Sequence, residues 1–136
     1  MKLLKDADMK TLNTLCICLL LGLGSSASMA YEYEAMNRGL LKQSKLINDN
    51  LPMELVEGVV LIKSFVQGLV ITFVSETSNS SITSFSQLGS PLDANCTNKD
   101  VMSGFNDGLT FRYILRNSDG VFLDEVNMDK KYCESL

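Results

Sequence analysis

The sequence predicts an α+β fold, a small two-layer domain in which helices cover one face of an antiparallel sheet. Three observations lead there. Two segments carry apolar residues at helical spacing, and each is followed by a pair of strand-like runs joined at a Gly-containing turn. Residues 31–136 are one domain by length. That part keeps only two cysteines, Cys96 and Cys133, the number for one disulfide. The order is helix, hairpin, long connection, helix, hairpin.

Residues 1–30 stand apart from the fold. Lys2, Lys5 and Lys10 make a basic start, Thr11 to Gly24 is an apolar stretch dominated by Leu, and the small residues Ser25 to Ala30 end in Ser-Met-Ala. These are the three regions of a secretory signal peptide, with cleavage expected after Ala30. The apolar core, about 14 residues, is shorter than the roughly 20 a membrane-spanning helix requires. Asp6 and Asp8 are unusual in such a start, and Met9-Lys10 with the apolar stretch is a complete signal by itself, which marks Met9 as an alternative start. Cys16 and Cys18 follow Leu and Ile inside the apolar core and do not fit a lipid-anchor site. The expectation is a signal peptide at 1–30 and a single periplasmic domain at 31–136, in an oxidising compartment. Secretion beyond the periplasm is the alternative.

Tyr31 to Ile47 reads as an amphipathic helix. Tyr33, Met36, Leu40 and Ile47 share one face, with Leu41 beside them, and Glu34, Arg38, Lys42 and Lys45 lie opposite. Asn48-Asp49-Asn50 and Pro52 end it. In Glu57 to Glu76, two β-branched runs flank Gln67-Gly68 and read as two strands joined by a tight turn. A membrane span through this region is disfavoured by Lys63, Gln67 and Gly68. Alternation places Val59, Leu61 and Phe65 on one side and Val60, Ile62 and Val66 on the other, and strands apolar on both faces are normally covered on both.

Ser75 to Asn95 is a Ser-rich connection, with Ile82, Phe85 and Leu88 spaced for one helical turn and Pro91 near its end. Thr97 or Asn98 caps a second helix, with Asp100 in its first turn and Gly108 as its stop. Leu109, Phe111, Tyr113 and Leu115 alternate with Thr110, Arg112, Ile114 and Arg116, the signature of a strand with one mostly apolar face. Asn117 to Gly120 is a hairpin turn, and Val121 to Val126 returns as the partner strand.

Composition removes several functions. Residues 31–136 hold nine Lys and Arg against fourteen Asp and Glu, a net charge of −5, which argues against nucleic acid and anionic lipid surfaces. There is no histidine, so the commonest general base, nucleophile partner and zinc ligand are missing. Gly-rich phosphate loops, G-x-S-x-G and metal-ligand clusters are absent. Glu54 and Glu57, three apart, point to opposite faces of an extended strand. The chain is therefore expected to be no enzyme, with no catalytic or metal site and no cofactor. A Cys96–Cys133 disulfide would contribute roughly 4 kcal/mol through the loop it closes. The alternative is a redox-active thiol, for which Lys130 and Lys131 supply a weak basic neighbourhood.

The apolar central hairpin has more surface than a two-layer domain covers. A curled sheet, a homo-oligomer, a bound molecule or the long connection folded over it would each hide that excess. The candidate contact surface is Val59, Leu61, Phe65, Leu69, Ile71 and Phe73, taking either a membrane-bound partner protein or a lipid or fatty acid.

Cys96-Thr97-Asn98-Lys99, Gly108 to Tyr113, Asp119-Gly120 and Cys133 resemble the C-terminal half of small exported bacterial proteins of mostly unassigned function. The overall plan, a signal peptide, about a hundred residues and a cysteine pair with one member near the C-terminus, resembles the TcpH family. Those proteins are small periplasmic companions of a membrane-bound virulence activator encoded with a pilus. The resemblance implies a non-enzymatic periplasmic accessory protein that binds and stabilises a membrane-bound partner, in virulence or pilus gene activation or pilus biogenesis. The alternatives are a binding protein for an apolar ligand and a small secreted inhibitor or toxin.

Overall fold

The computed structural model describes residues 29–88 and 92–136. The expected export signal up to Ser28, and Pro91, lie outside the described residues, while Met29 and Ala30 open the first helix.

Helix α1, Met29–Asp49, buries Met36, Leu40 and Ile47, while Glu34, Arg38, Lys42 and Lys45 are exposed, as the 3.6-residue period requires. Tyr33 and Leu41 remain half exposed, and the polar Gln43 and Ser44 complete the buried stripe in their place. At the C-terminal end, Asn50 donates its backbone N–H to Ile47 O and its side-chain Nδ2 to Leu46 O.

One five-stranded sheet follows, in the order β1 (Met53–Val56), β2 (Val59–Gln67), β3 (Val70–Thr77), β4 (Thr110–Asn117), β5 (Phe122–Met128). Three of the neighbour pairs are antiparallel, but β3 and β4 run parallel. That departs from the expected all-antiparallel sheet, and the reason lies in the long connection. Parallel neighbours need a crossover of a dozen or more residues. Residues 78–109 supply it, through two 3₁₀ turns (Phe85–Leu88 and Asp93–Thr97) and helix α2, Lys99–Asn106. The Asn98 side chain caps α2 by accepting from Asp100 N and Val101 N. A short C-terminal helix, α3, Lys130–Glu134, is capped in the same way by Asp129, which accepts from Tyr132 N.

The register of β2 against β3 decides which side chains face inwards. Leu61 pairs with Ser75, and Lys63 with Val74, so Ile62 is an extra residue on β2. Such a bulge shifts the alternation by one residue. Before it, Val59 and Leu61 share a face with Thr77 and Ser75; after it, Ser64 and Val66 share that face with Phe73 and Ile71, while Lys63 and Phe65 emerge on the other. The turn to β3 needs Gly68, whose φ of 62° is left-handed and whose missing Cβ leaves room for the Tyr33 hydroxyl, 2.8 Å from where that atom would lie.

The inner face holds the core. Phe73 stacks on Tyr113 at 5.1 Å, and Phe105 from α2 meets Phe111 edge-on at 5.2 Å. Phe85 from the first 3₁₀ turn meets Tyr113 edge-on, and Asp124 Oδ2 on β5 accepts from Phe85 N at 2.8 Å, which fastens that turn to the sheet. Helix α1 docks on the same side through polar contacts: Ser44 Oγ lies 2.7 Å from Ser64 Oγ, and Asn37 Nδ2 donates to Gly68 O. Asn48 bonds both backbone groups of Ser64, accepting from its N–H at 2.8 Å and donating to its C=O at 2.9 Å. β1 reaches along β2 only as far as the Met53–Leu61 pair, so the Asn48 side chain substitutes for a neighbouring strand where the edge of β2 is otherwise bare.

Candidate partner-binding face

Two of the eight residues singled out in the sequence are the cysteines, and they are joined. Cys96 and Cys133 form a disulfide with Cα atoms 5.4 Å apart, tying the second 3₁₀ turn to α3. Beside it the Tyr132 hydroxyl donates to Asp93 Oδ1 at 2.7 Å. That bond to a carboxylate, with partial burial, pushes the Tyr132 pKa up to about 12.

Of the six residues expected to form a contact surface, four are in the core. Val59, Leu61 and Ile71 have no exposed area and Phe73 has 1%. A side chain with no accessible surface cannot meet a partner, so this part of the expectation is corrected. All four lie on the inner face, under the helices and the crossover. Leu69 sits in the β2–β3 turn, packs partly against the core and lines a cleft with Tyr33 and Met36. Phe65 alone lies on the opposite face of the sheet, moved there by the bulge at Ile62.

That outer face is built in ladder rows. One row carries Val60, Glu76, Arg116 and Phe122; the next Lys63, Val74, Ile114 and Glu125; the next Phe65, Thr72, Arg112 and Asn127. The helices and 3₁₀ turns described above pack on the inner face. On the outer face Val60, Phe65, Val70 and Ile114 stay partly exposed, and Phe122 is 60% exposed. Val74 and Thr72 are buried beneath their neighbours, and Thr72 Oγ1 makes no hydrogen bond.

Ion pairs frame the apolar centre. Arg112 donates through Nε and Nη2 to Glu125 Oε1 at 3.1 and 2.8 Å, and Arg116 Nε to Glu76 Oε2 at 3.2 Å. The Arg112 hydrogen bonds hold the Glu125 carboxyl below its usual range, and Asn127 donates to its other oxygen. Lys63 carries its ammonium over the Phe65 ring, 5.4 Å from the centroid. Chemically this is an apolar strip with fixed charges at its margins. Among the described residues no group of three His, Cys, Asp or Glu side chains could hold a metal ion.

Sequence reasoning did not single out Lys63, Val74, Arg112 or Ile114 for this face. The signal available for it was the unbroken apolar run from Val59 to Ile62, where strict alternation fails at the residue that bulges. Among the described residues, an apolar cavity lined by Leu55, Val59, Phe85, Leu88, Leu92 and Tyr113 has a volume of about 20 Å³, far below an acyl chain, while the cleft beside Tyr33, Met36 and Leu69 has about 260 Å³.

In comparison with known families, residues 34–133 fit the family described as Type II secretion system (T2SS) pilotin, S protein. The span takes in most of α1, the whole sheet and both disulfide cysteines. The fold is similar to that of the type II secretion system pilotin AspS from Vibrio cholerae, with a TM-score of 0.63 and 20% identity over 79% of this chain and 100% of that one. It is also similar to the type 2 secretion system pilotin EpsS from Vibrio vulnificus, with a TM-score of 0.60 and 13% identity over 74% of this chain and 94% of that one. At these identities the likeness establishes the fold alone. No curated protein matches the sequence. The family match replaces the TcpH resemblance, and with it the expected role in virulence or pilus gene activation. The chain belongs to the type II secretion system pilotin, S protein, family, whose members are non-enzymatic accessory proteins.

Proposed function

We propose that the chain acts in the periplasm as a pilotin, binding a segment of the secretin subunit through the outer face of its sheet and so assisting secretin assembly. The observation that supports this most is the one-sided packing of the sheet. The helices and the crossover lie on the inner face, and an apolar strip of the partly exposed Val60, Phe65, Val70 and Ile114 is left on the other. Covering each 100 Å² of such surface is worth about 2.5 kcal/mol before the ordering of the bound segment is subtracted. The disulfide and the export signal read from the sequence agree with an oxidising compartment.

The test is made with the full chain in cells that lack it, scoring how much secretin reaches the outer membrane. Phe65→Asp is expected to lower that amount sharply, while Leu41→Asp, on the half-exposed side of α1, leaves it unchanged. Wild-type secretin assembly with Phe65→Asp present at normal level would remove the outer face from the mechanism. Fractionation tests the compartment: protein recovered with the periplasmic contents or membranes supports the reading, and protein recovered only from the culture supernatant overturns it.

A further inference from the structure

We infer that Lys63 selects the docked segment, so that the segment of the secretin that binds carries an Asp or Glu within an apolar stretch, its carboxylate set against the Lys63 ammonium. This rests on the pilotin reading of the outer face and adds to it the chemistry of what is recognised.

Three cations stand on that face. Arg112 is paired with Glu125 and Arg116 with Glu76. Lys63 has no carboxylate within 4 Å among the described residues. The remaining acid of this face, Glu54, sits on β1 opposite Val60, one ladder row away from Lys63 and outside ion-pair range.

Lys63 is also not a side chain loose in solvent. Its ammonium lies over the Phe65 ring, and its row runs on through Val74 and Ile114. The charge is thus presented at the margin of the apolar strip, where a docked segment excludes water and an opposite charge gains more than it does on an open surface. A segment apolar throughout would leave this ammonium desolvated and unpaired, and a basic one would be repelled. An acidic residue among apolar ones satisfies both the strip and the charge.

The experiment measures binding of overlapping peptides that span the secretin to the purified protein, at two salt concentrations. The binding peptide is expected to contain Asp or Glu between apolar residues. Lys63→Gln should weaken it about fivefold and flatten its salt dependence, while leaving the melting temperature in place. Lys63→Glu should weaken it further, and replacing the peptide's acid with Lys should restore binding to that variant. A binding peptide without an acid, or unchanged affinity and salt dependence in Lys63→Gln, overturns the inference. If Phe65→Ala still abolishes binding in that case, the docking face stands and only the charge selection falls. If neither Phe65→Ala nor Lys63→Gln changes binding, both fall together.

Discussion

Asn48 shows how much a single side chain does in this fold. It holds both backbone groups of Ser64 where β2 has no neighbouring strand, and Ser44 meets the Ser64 hydroxyl beside it. Asn48→Ala leaves a strand N–H and C=O without partners and is expected to lower stability by about 1–2 kcal/mol, read from the denaturant midpoint. The Cys96–Cys133 bridge holds α3 to the crossover. Cys133→Ser is expected to lower stability by roughly 4 kcal/mol, and unchanged melting would show that the bridge does not hold the fold. Tyr132 adds a pH-dependent contact beside it. Its pKa is raised from 10.0 to about 12, so the bond to Asp93 contributes fully below pH 10 and is lost as pH rises through 12. Stability should therefore fall between pH 10 and 12, and Tyr132→Phe, which lacks the bond at every pH, should fall less over that window.

Strands and helices differ in how well the sequence announced them. The helix from Tyr31, the turn at Gly68, the Asn98 cap, the turn at Asn117 to Gly120 and the disulfide each depend on neighbouring residues or on a count, and all appear in the structure. What stayed hidden depends on distant partners. β1, four residues long, is too short for its alternation to stand out. The parallel pairing of β3 with β4 is set by where the crossover puts the second hairpin, which no local pattern records. The bulge at Ile62 moved Phe65 away from Val59 and Leu61, so the expected contact surface mixed core residues with one that faces out. The error is informative, because it marks where the strand changes face. Deleting Ile62 removes the extra residue, so plain alternation after Leu61 still puts Lys63 and Phe65 outside and Ser64 inside, and the variant is expected to keep cooperative unfolding, as a melting curve would show. An apolar run on both sides of a strand was legible; which side was left for a partner was not.

Taken together the domain is asymmetric by construction. Helix α1, the crossover and α2 lie on the inner face, and the outer face keeps an apolar strip edged by the Arg112–Glu125 and Arg116–Glu76 pairs. No helix among the described residues is long and apolar enough to cross a membrane. A non-enzymatic accessory protein of this size works by contact, and the outer face is where the contact is expected. Photocrosslinking in living cells addresses that directly, with a photoreactive phenylalanine analogue placed at Phe65 on the outer face and, separately, at Leu41 on α1. An adduct with the secretin, identified by mass spectrometry, from position 65 and none from position 41 is the result expected. Secretin adducts from position 41 with none from position 65 would contradict the docking face.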